Sequence, residues 1–343
     1  MIKILVKMVN WVGDTLLTTP TLRALRRGCR GAEISVVARP WVSGVLENNP
    51  DIDRLIVADE KESPLAYWRL VSKLRAEKFD LGISLPNSFS AAFLLWSSRV
   101  TKRVGYALDG RSFLLTHPVK VKPEILKMHQ VEYYLNLLNG LCDVKGAERK
   151  LVLEVSDEDR RGVDELLEER GLSRNRLLVG MAPGATYGSA KRWHADRFAK
   201  VADYLADTYQ AEIFAMGSAK ESAIAAEVQK NSRVELRDLT GKIGLRAMAA
   251  LMERLALFVC NDSGAMHVAA ALDVPLVAIF GSTDWVTTAP CSKEATIVRK
   301  EIECAPCLER ECPLKHHNCM EWVSVADVLE AVDQQLERQR TVR

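Results

Sequence analysis

Leu255-Ala256-Leu257-Phe258-Val259, then Asn261-Asp262-Ser263-Gly264-Ala265-Met266-His267, then Val268-Ala269-Ala270-Ala271-Leu272: this run decides the fold. The first five residues read as a buried strand and the last five as a helix, with a polar, glycine-containing turn between them. Such a turn aims free backbone N–H groups and the positive end of the helix dipole at whatever lies above it, which suits a phosphate. The next apolar run, Pro275-Leu276-Val277-Ala278-Ile279-Phe280, ends in Gly281-Ser282-Thr283-Asp284, again small and rich in hydroxyls. Two such turns at neighbouring strand ends point to a nucleotide diphosphate pocket.

Working outward, the second half alternates in the same way. Strands are expected over 177–182 and 212–216, and helices over 195–209, 220–229 and 244–254. The first half repeats the pattern, with strands over 2–6, 33–38, 54–57 and 79–85 and an edge strand over 103–106. Its helices are expected over 15–27, 41–48, 64–77, 90–97 and 128–142. This alternation predicts two Rossmann-like α/β domains with parallel sheets, their ligands at the carboxyl ends of the strands. The charged stretch 156–176, a helix over 158–169 followed by a polar turn over 171–176, reads as a connection. The domains expected are therefore 1–155, the connection 156–176, and 177–322. A last amphipathic helix within 323–343 is expected to pack back on the first domain.

A length of 343 residues, 48% hydrophobic and 27% charged, fits a two-domain globular chain and excludes a disordered or fibrous one. No apolar run approaches the roughly 20 residues of a transmembrane helix, and no leader pattern precedes the first strand. The reading places the protein in the cytoplasm. Net charge is only +2, but residues 1–150 carry 23 Lys and Arg against 15 Asp and Glu. A basic first half suits an anionic partner, with a merely solvated basic surface as the alternative.

Each strand end carries a motif. After the first comes Asn10-Trp11-Val12-Gly13-Asp14-Thr15, where Asp14 is either a helix N-cap or a general base facing the ligand. The dinucleotide fingerprint G-x-G-x-x-G is absent there, and Ala38-Arg39-Pro40 after the second strand offers no acid for a ribose, and both absences count against NAD. In the second half, Ala182-Pro183-Gly184-Ala185-Thr186-Tyr187-Gly188-Ser189-Ala190-Lys191-Arg192-Trp193 is not a P-loop. Its glycines still permit close backbone approach, and Lys191 or Arg192 can neutralise a diphosphate. Met216-Gly217-Ser218-Ala219-Lys220-Glu221 offers Glu221 to a ribose hydroxyl or, alternatively, to its own helix dipole.

Together these turns, with Leu85-Pro86-Asn87-Ser88-Phe89, resemble the ADP-heptosyltransferases of lipopolysaccharide core synthesis over essentially the full chain, most of all those that extend an already heptosylated core. The resemblance implies a GT-B fold, two Rossmann-like domains facing a cleft, and an inverting transfer from ADP-heptose to an anionic Kdo–lipid A core at the inner-membrane surface. It implies Asp14 as base and Lys191 as stabiliser of the departing ADP. It gives Thr186, Lys191, Glu221, Asp262, Ser263, Gly264 and His267 to the donor, and Asn87 and Ser88 to the acceptor in the first domain. A core histidine is the competing reading of His267. Arg23, Arg26 and Arg27, with Arg30, are expected beside the cleft to meet acceptor phosphates and carboxylates. No cofactor, catalytic metal or nucleic acid is implied. Two readings compete: a relative acting on another core heptose or on Kdo, and a non-catalytic nucleotide-sugar binding protein.

Cys304, Cys307, Cys312 and Cys319, with His316 and His317 between, have metal-like density but lack paired C-x2-C spacing. A reduced cysteine loop is the expectation and a structural metal the alternative.

Overall fold

The computed structural model describes residues 1–142, 146–171 and 176–342, with side chains to 339. The polar turn expected over 171–176 falls largely outside these. The chain forms two compact units, Met1–Glu154 and Val155–Arg343.

The first unit holds a parallel sheet of β1 (Lys3–Lys7), β2 (Glu33–Ala38), β3 (Arg54–Val57), β4 (Leu81–Ser84), β5 (Lys102–Tyr106) and β6 (His117–Val119) in the order β3-β2-β1-β4-β5-β6. The second holds β7 (Leu178–Ala182), β8 (Glu212–Ala215), β9 (Arg237–Asp238), β10 (Leu257–Asn261), β11 (Leu276–Ile279) and β12 (Ala295–Val298) in the order β12-β11-β10-β7-β8-β9. Counted within each unit, both are the same doubly wound order, with the switch point between the first and fourth strands. In register, Ile4 lies between Ile34 and Leu81, and Cys260 between Ala182 and Ala278. The central strands are covered on both faces, which is why their sequences are continuous apolar runs and not alternating ones.

Several expectations need correcting. The 103–106 strand is no edge: β6 pairs beyond it, a three-residue strand that contains Pro118 and carries no sequence signal. The helix expected over 15–27 is two, Val12–Leu17 and Thr19–Gly28, because Pro20 has no N–H to continue the first and instead occupies the opening turn of the second. Helix Asp157–Glu169 is not a free connector. It buries Val163 and Leu167, and its Asp159 and Asp164 pair with Arg246 and Arg254 of the second unit. The final helix, Val325–Val342, puts apolar side chains into the second unit. Val328, Ala331, Val332 and Leu336 belong to the second unit's core, beside Phe198, Val277 and Val298.

Candidate active site

In the second unit the carboxyl ends of β7, β10 and β11 converge. Asn261 closes β10 and is wholly buried. Its Oδ1 accepts from the Trp193 amide at 3.0 Å and its Nδ2 donates to the Pro183 carbonyl at 2.8 Å. One side chain thereby ties the turn after β7 to the segment carrying Lys191. The sequence reading gave Asn261 no role, although a polar residue at the end of an all-apolar strand has to find partners.

Asp262 follows, its amide bonded to the Ile279 carbonyl of β11. Its Oδ2 accepts from Lys191 Nζ at 2.7 Å and from Thr283 Oγ1 at 2.6 Å. Both partners of the ion pair are withdrawn from water, with side chains 14% and 4% exposed. Lys191 Nζ also lies 5.0 Å from the centre of the Tyr187 ring. Arg192, the alternative base, is spent on its own loop, donating to the Ala185 carbonyl. In the sequence Thr283 is one hydroxyl residue of the turn after β11, with no sign of this partner 21 residues away.

Helix Gly264–Ala271 starts beside this pair. Its N-cap, Ser263, is extended at φ −151°, and its side chain makes no capping bond. Ser263 Oγ is buried and has no hydrogen-bond partner among the described residues. The first-turn amides therefore have no side-chain oxygen on them, which leaves the helix end suited to an anion. His267 lies on the same helix and is 95% buried, with 5% of its surface exposed.

Glu221 resolves into two halves. Oε2 accepts from the amide and the hydroxyl of Ser218, both at 2.8 Å, in a capping box. Oε1 turns toward Thr186 Oγ1 at 3.5 Å and keeps acceptor capacity for a further donor. A Cβ on Gly184 would come within 2.5 Å of that oxygen, so only glycine leaves the carboxylate in place.

The cysteine-rich segment supports the Lys191 loop. Ala190 donates its amide to the Arg310 carbonyl at 3.0 Å, and the Ala190 carbonyl meets His317 Nε2 at 3.1 Å. The Tyr187 hydroxyl donates to the Leu308 carbonyl at 2.8 Å. Cys304, Cys307, Cys312, Cys319, His316 and His317 line a small pocket behind this loop. Burial, with the other three sulfurs nearby, pushes the Cys319 thiol up to about 11. Among the described residues no three His, Cys, Asp or Glu side chains are grouped to hold one metal ion.

In the first unit Asp14 is not the N-cap of its helix. Trp11 holds that position and Asp14 lies in the first turn, half-buried, close enough to the buried Tyr134 for its charge to add to the burial that raises that phenol. Asn87 Nδ2 donates to the Tyr133 hydroxyl at 2.8 Å, and Ser88 Oγ lies 3.2 Å from Ser90 Oγ. The turn they occupy is organised by Arg111, which is fully buried and was missed in the sequence because its partners in that turn lie more than 20 residues away. Its guanidinium donates to Ser84 Oγ, to the Pro86 and Ser88 carbonyls, and to the Tyr106 carbonyl. Burial lowers its pKa to about 10, which still leaves it charged at neutral pH.

The arginines expected at this edge are elsewhere. Helix Thr19–Gly28 runs back along the sheet, and its last turn, with Arg26 and Arg27, ends near the start of β2. Arg26 donates to the Ala32 carbonyl at 2.8 Å and to Asp53 at 2.6 Å, while Asp53 also accepts the Ile34 amide. Arg23 pairs with Asp51. Arg26 thus braces the amino ends of β2 and β3, and Arg27 and Arg30 lie at the same end of the helix, because helix and strand directions oppose one another. At the carboxyl ends of β1 and β2 the bases are Lys7 and Arg39, both buried and both on Glu60, at 3.1 and 3.2 Å. Burial alone would raise the Glu60 pKa, but these two cations outweigh it and hold the carboxyl below its usual range.

The profile of glycosyltransferase family 9 (heptosyltransferase) matches residues 67–318. The chain is 31% identical to lipopolysaccharide heptosyltransferase 2 of Salmonella typhimurium, covering 87% of this chain and 88% of that one. It is 29% identical to lipooligosaccharide heptosyltransferase 2 of Campylobacter jejuni, covering 96% of each. Among solved structures, the ADP-heptose LPS heptosyltransferase II of Escherichia coli superposes with a TM-score of 0.84 at 27% identity, covering 99% of this chain and 100% of that one. A family 9 glycosyl transferase of Veillonella parvula superposes with a TM-score of 0.88 at 26% identity, covering 98% of this chain and 97% of that one.

Proposed function

The chain belongs to glycosyltransferase family 9, the heptosyltransferases, and from that premise we propose that it is an inverting GT-B enzyme moving heptose from ADP-heptose to the heptosylated Kdo–lipid A core. The observation that carries this reading is the Lys191–Asp262–Thr283 cluster beside the helix end at Ser263, a cation and an anion-accepting helix end gathered at three strand termini. Such a site fits a sugar nucleotide diphosphate.

In the proposed reaction the Asp14 carboxylate takes the proton of the acceptor hydroxyl as its oxygen bonds to the anomeric carbon. On the opposite face the bond from that carbon to the diphosphate oxygen breaks, and the electron pair leaves with ADP. Lys191 exchanges Asp262 for the diphosphate, and the Gly264 helix end adds its amides to the growing charge. Asp262 is then free to accept from a sugar hydroxyl. Glu221 Oε1, next to Thr186, accepts from the ribose. His267 lies on the diphosphate helix, and Asn87 and Ser88 receive the acceptor. Among the described residues no helix is long and apolar enough to cross a membrane. We place the enzyme on the cytoplasmic side, meeting its acceptor at the membrane surface.

The test is incubation with ADP-heptose and defined truncated cores, read by mass. A single heptose added to the monoheptosylated core supports the reading, and transfer only to unheptosylated Kdo, or none at all, overturns it. Asp14→Asn should lower the rate by roughly 10²–10⁴-fold with ADP affinity kept, the range typical of general-base loss. Turnover near wild type would remove Asp14 from the role of base.

A further inference from the structure

We propose that the first unit docks on an anionic lipid bilayer through a connected strip of exposed aromatic side chains. Helix Pro64–Glu77, helix Phe89–Ser97 and the short turn Ser112–Leu114 present it. Trp68 meets Tyr67 edge-on at 5.3 Å, and Tyr67 stacks on Phe93 at 5.9 Å. Phe93 in turn contacts Phe89 at 6.1 Å and Trp96 at 5.5 Å, and Phe89 meets Phe113 at 6.1 Å. Four of these rings lie open to solvent: Trp68 is 49% exposed, Phe89 46%, Trp96 49% and Phe113 74%. Leu65, exposed as well, precedes Trp68 by one turn of the same helix. Apolar residues scattered singly over a surface are ordinary, whereas a connected series of open rings marks a binding face.

Composition, charge and position select the bilayer as its occupant. Tryptophan and tyrosine favour the boundary between headgroups and acyl chains, with an apolar body and a polar tip. The strip is flanked by exposed bases, Arg69 and Lys73 on the first helix and Arg99 just past the second. Helix Phe89–Ser97 carries no charge, and the one acid of helix Pro64–Glu77, Glu77, is engaged by Lys3 and Arg54. The three flanking bases complement anionic headgroups. The strip also begins where the acceptor is proposed to bind: Phe89 follows Ser88 directly after β4. This last step rests on the lipid-linked acceptor of the proposed function. A sugar tethered to acyl chains is reached only by an enzyme seated on the bilayer that holds them.

The experiment is flotation of the full-length protein with vesicles of phosphatidylglycerol and phosphatidylcholine, and with phosphatidylcholine alone, without acceptor. The wild type should float with the anionic vesicles, and vesicles carrying brominated acyl chains should quench its tryptophan fluorescence. The triple variant Trp68→Ser, Trp96→Ser, Phe113→Ser changes only exposed positions. It should lose vesicle binding by about tenfold or more, as expected when the buried apolar anchors are removed. It should keep wild-type ADP binding and wild-type transfer to a deacylated acceptor, while transfer to acceptor in vesicles falls. Wild type that stays in solution, or a triple variant that floats equally well, overturns the proposal. So does a wild-type dimer that the substitutions split into monomers with no vesicle binding by either, which would make the strip a contact between copies. Absence of transfer to every acceptor would defeat the enzymatic reading and leave the flotation result to stand by itself.

Discussion

Asp262 and Asn261 are neighbours, both buried, and their hydrogen-bond partners separate their duties. Asn261 completes its hydrogen bonds within the protein, whereas Asp262 holds a lysine that a diphosphate can take over. In the proposed reaction an incoming diphosphate competes with Asp262 for Lys191, so Asp262→Asn should keep ADP affinity at or above the wild-type value while heptose transfer collapses. Calorimetry with ADP and a transfer assay check the two halves, and ADP affinity that falls together with the rate would make Asp262 only a brace. Lys191→Ala removes a charged hydrogen bond worth about 1.5–3 kcal/mol, and so should weaken ADP binding by roughly 10–100-fold. Unchanged ADP affinity would remove Lys191 from the donor site. The strand-end turns that carry Asp14, Lys191 and Asp262 were legible in the sequence, because each follows an apolar run. Arg111, Glu60 and Thr283 were not, because each acquires its meaning from partners brought in by the fold: Ser84 and Pro86, Lys7 and Arg39, and Asp262. The basic residues near the start of the chain misled for a related reason, since composition records that arginines are present but not which end of a helix bears them.

Among elements, strands covered on both faces declared themselves, as did the edge strand β3, while β6, β9 and β12 did not. β10 is five buried residues, while β9 is two half-buried ones and β12 is mostly half-buried. The loop holding Lys191 is an element whose shape is imposed from outside. A Cβ at Gly188 would lie 2.1 Å from the Arg310 carbonyl oxygen, a collision between two stretches of backbone that no rotamer relieves. Gly188→Ala should therefore displace Lys191 and reduce transfer about 10²-fold, the usual effect of a misplacement near 1 Å. His317→Ala, which removes the contact with the Ala190 carbonyl and an edge-on contact with the His194 ring but brings no backbone collision, should cost less. If Gly188→Ala is as active as wild type, the cysteine-rich segment does not set the loop. Acid sensitivity is also built element by element. Burial would raise the Asp203 pKa, but bonds from the Ser232 hydroxyl, Arg233 and the Val234 amide outweigh it and hold the carboxyl low. A pKa depressed on folding gives stability that is present above the ordinary aspartate value and lost as pH falls through the folded one. Urea midpoints should therefore drop on acidification below about pH 4, the ordinary aspartate range, and Asp203→Asn should flatten that drop while lowering stability at neutral pH. A midpoint that falls equally steeply in the variant would exonerate Asp203.

At the scale of the molecule, two copies of one strand order share a chain, and the division between them is set by packing and not by composition. Charge density made 156–176 look like a linker. Helix Asp157–Glu169 instead belongs to the second unit, with Val163 1% and Leu167 6% exposed and an N-terminal capping box at Ser156. Its more exposed ion pairs, Arg160 with Asp157 and Glu253, add little, on the order of 0–1 kcal/mol each, but burying two branched apolar side chains is worth roughly 3–6 kcal/mol together. That is a large share of the 5–15 kcal/mol by which a domain is typically stable. The second unit's core is drawn from its own sheet and helices, down to the terminal helix. Residues 155–343 expressed alone should accordingly unfold in one cooperative step and bind ADP, whereas 177–343 should melt far lower or aggregate through the apolar surface of helix Leu245–Met252. Thermal unfolding by circular dichroism and calorimetry with ADP compare the two fragments. Equal stability would return helix Asp157–Glu169 to the role of a linker, and a 155–343 fragment with no cooperative transition would mean that the second sheet cannot hold its core without the first unit.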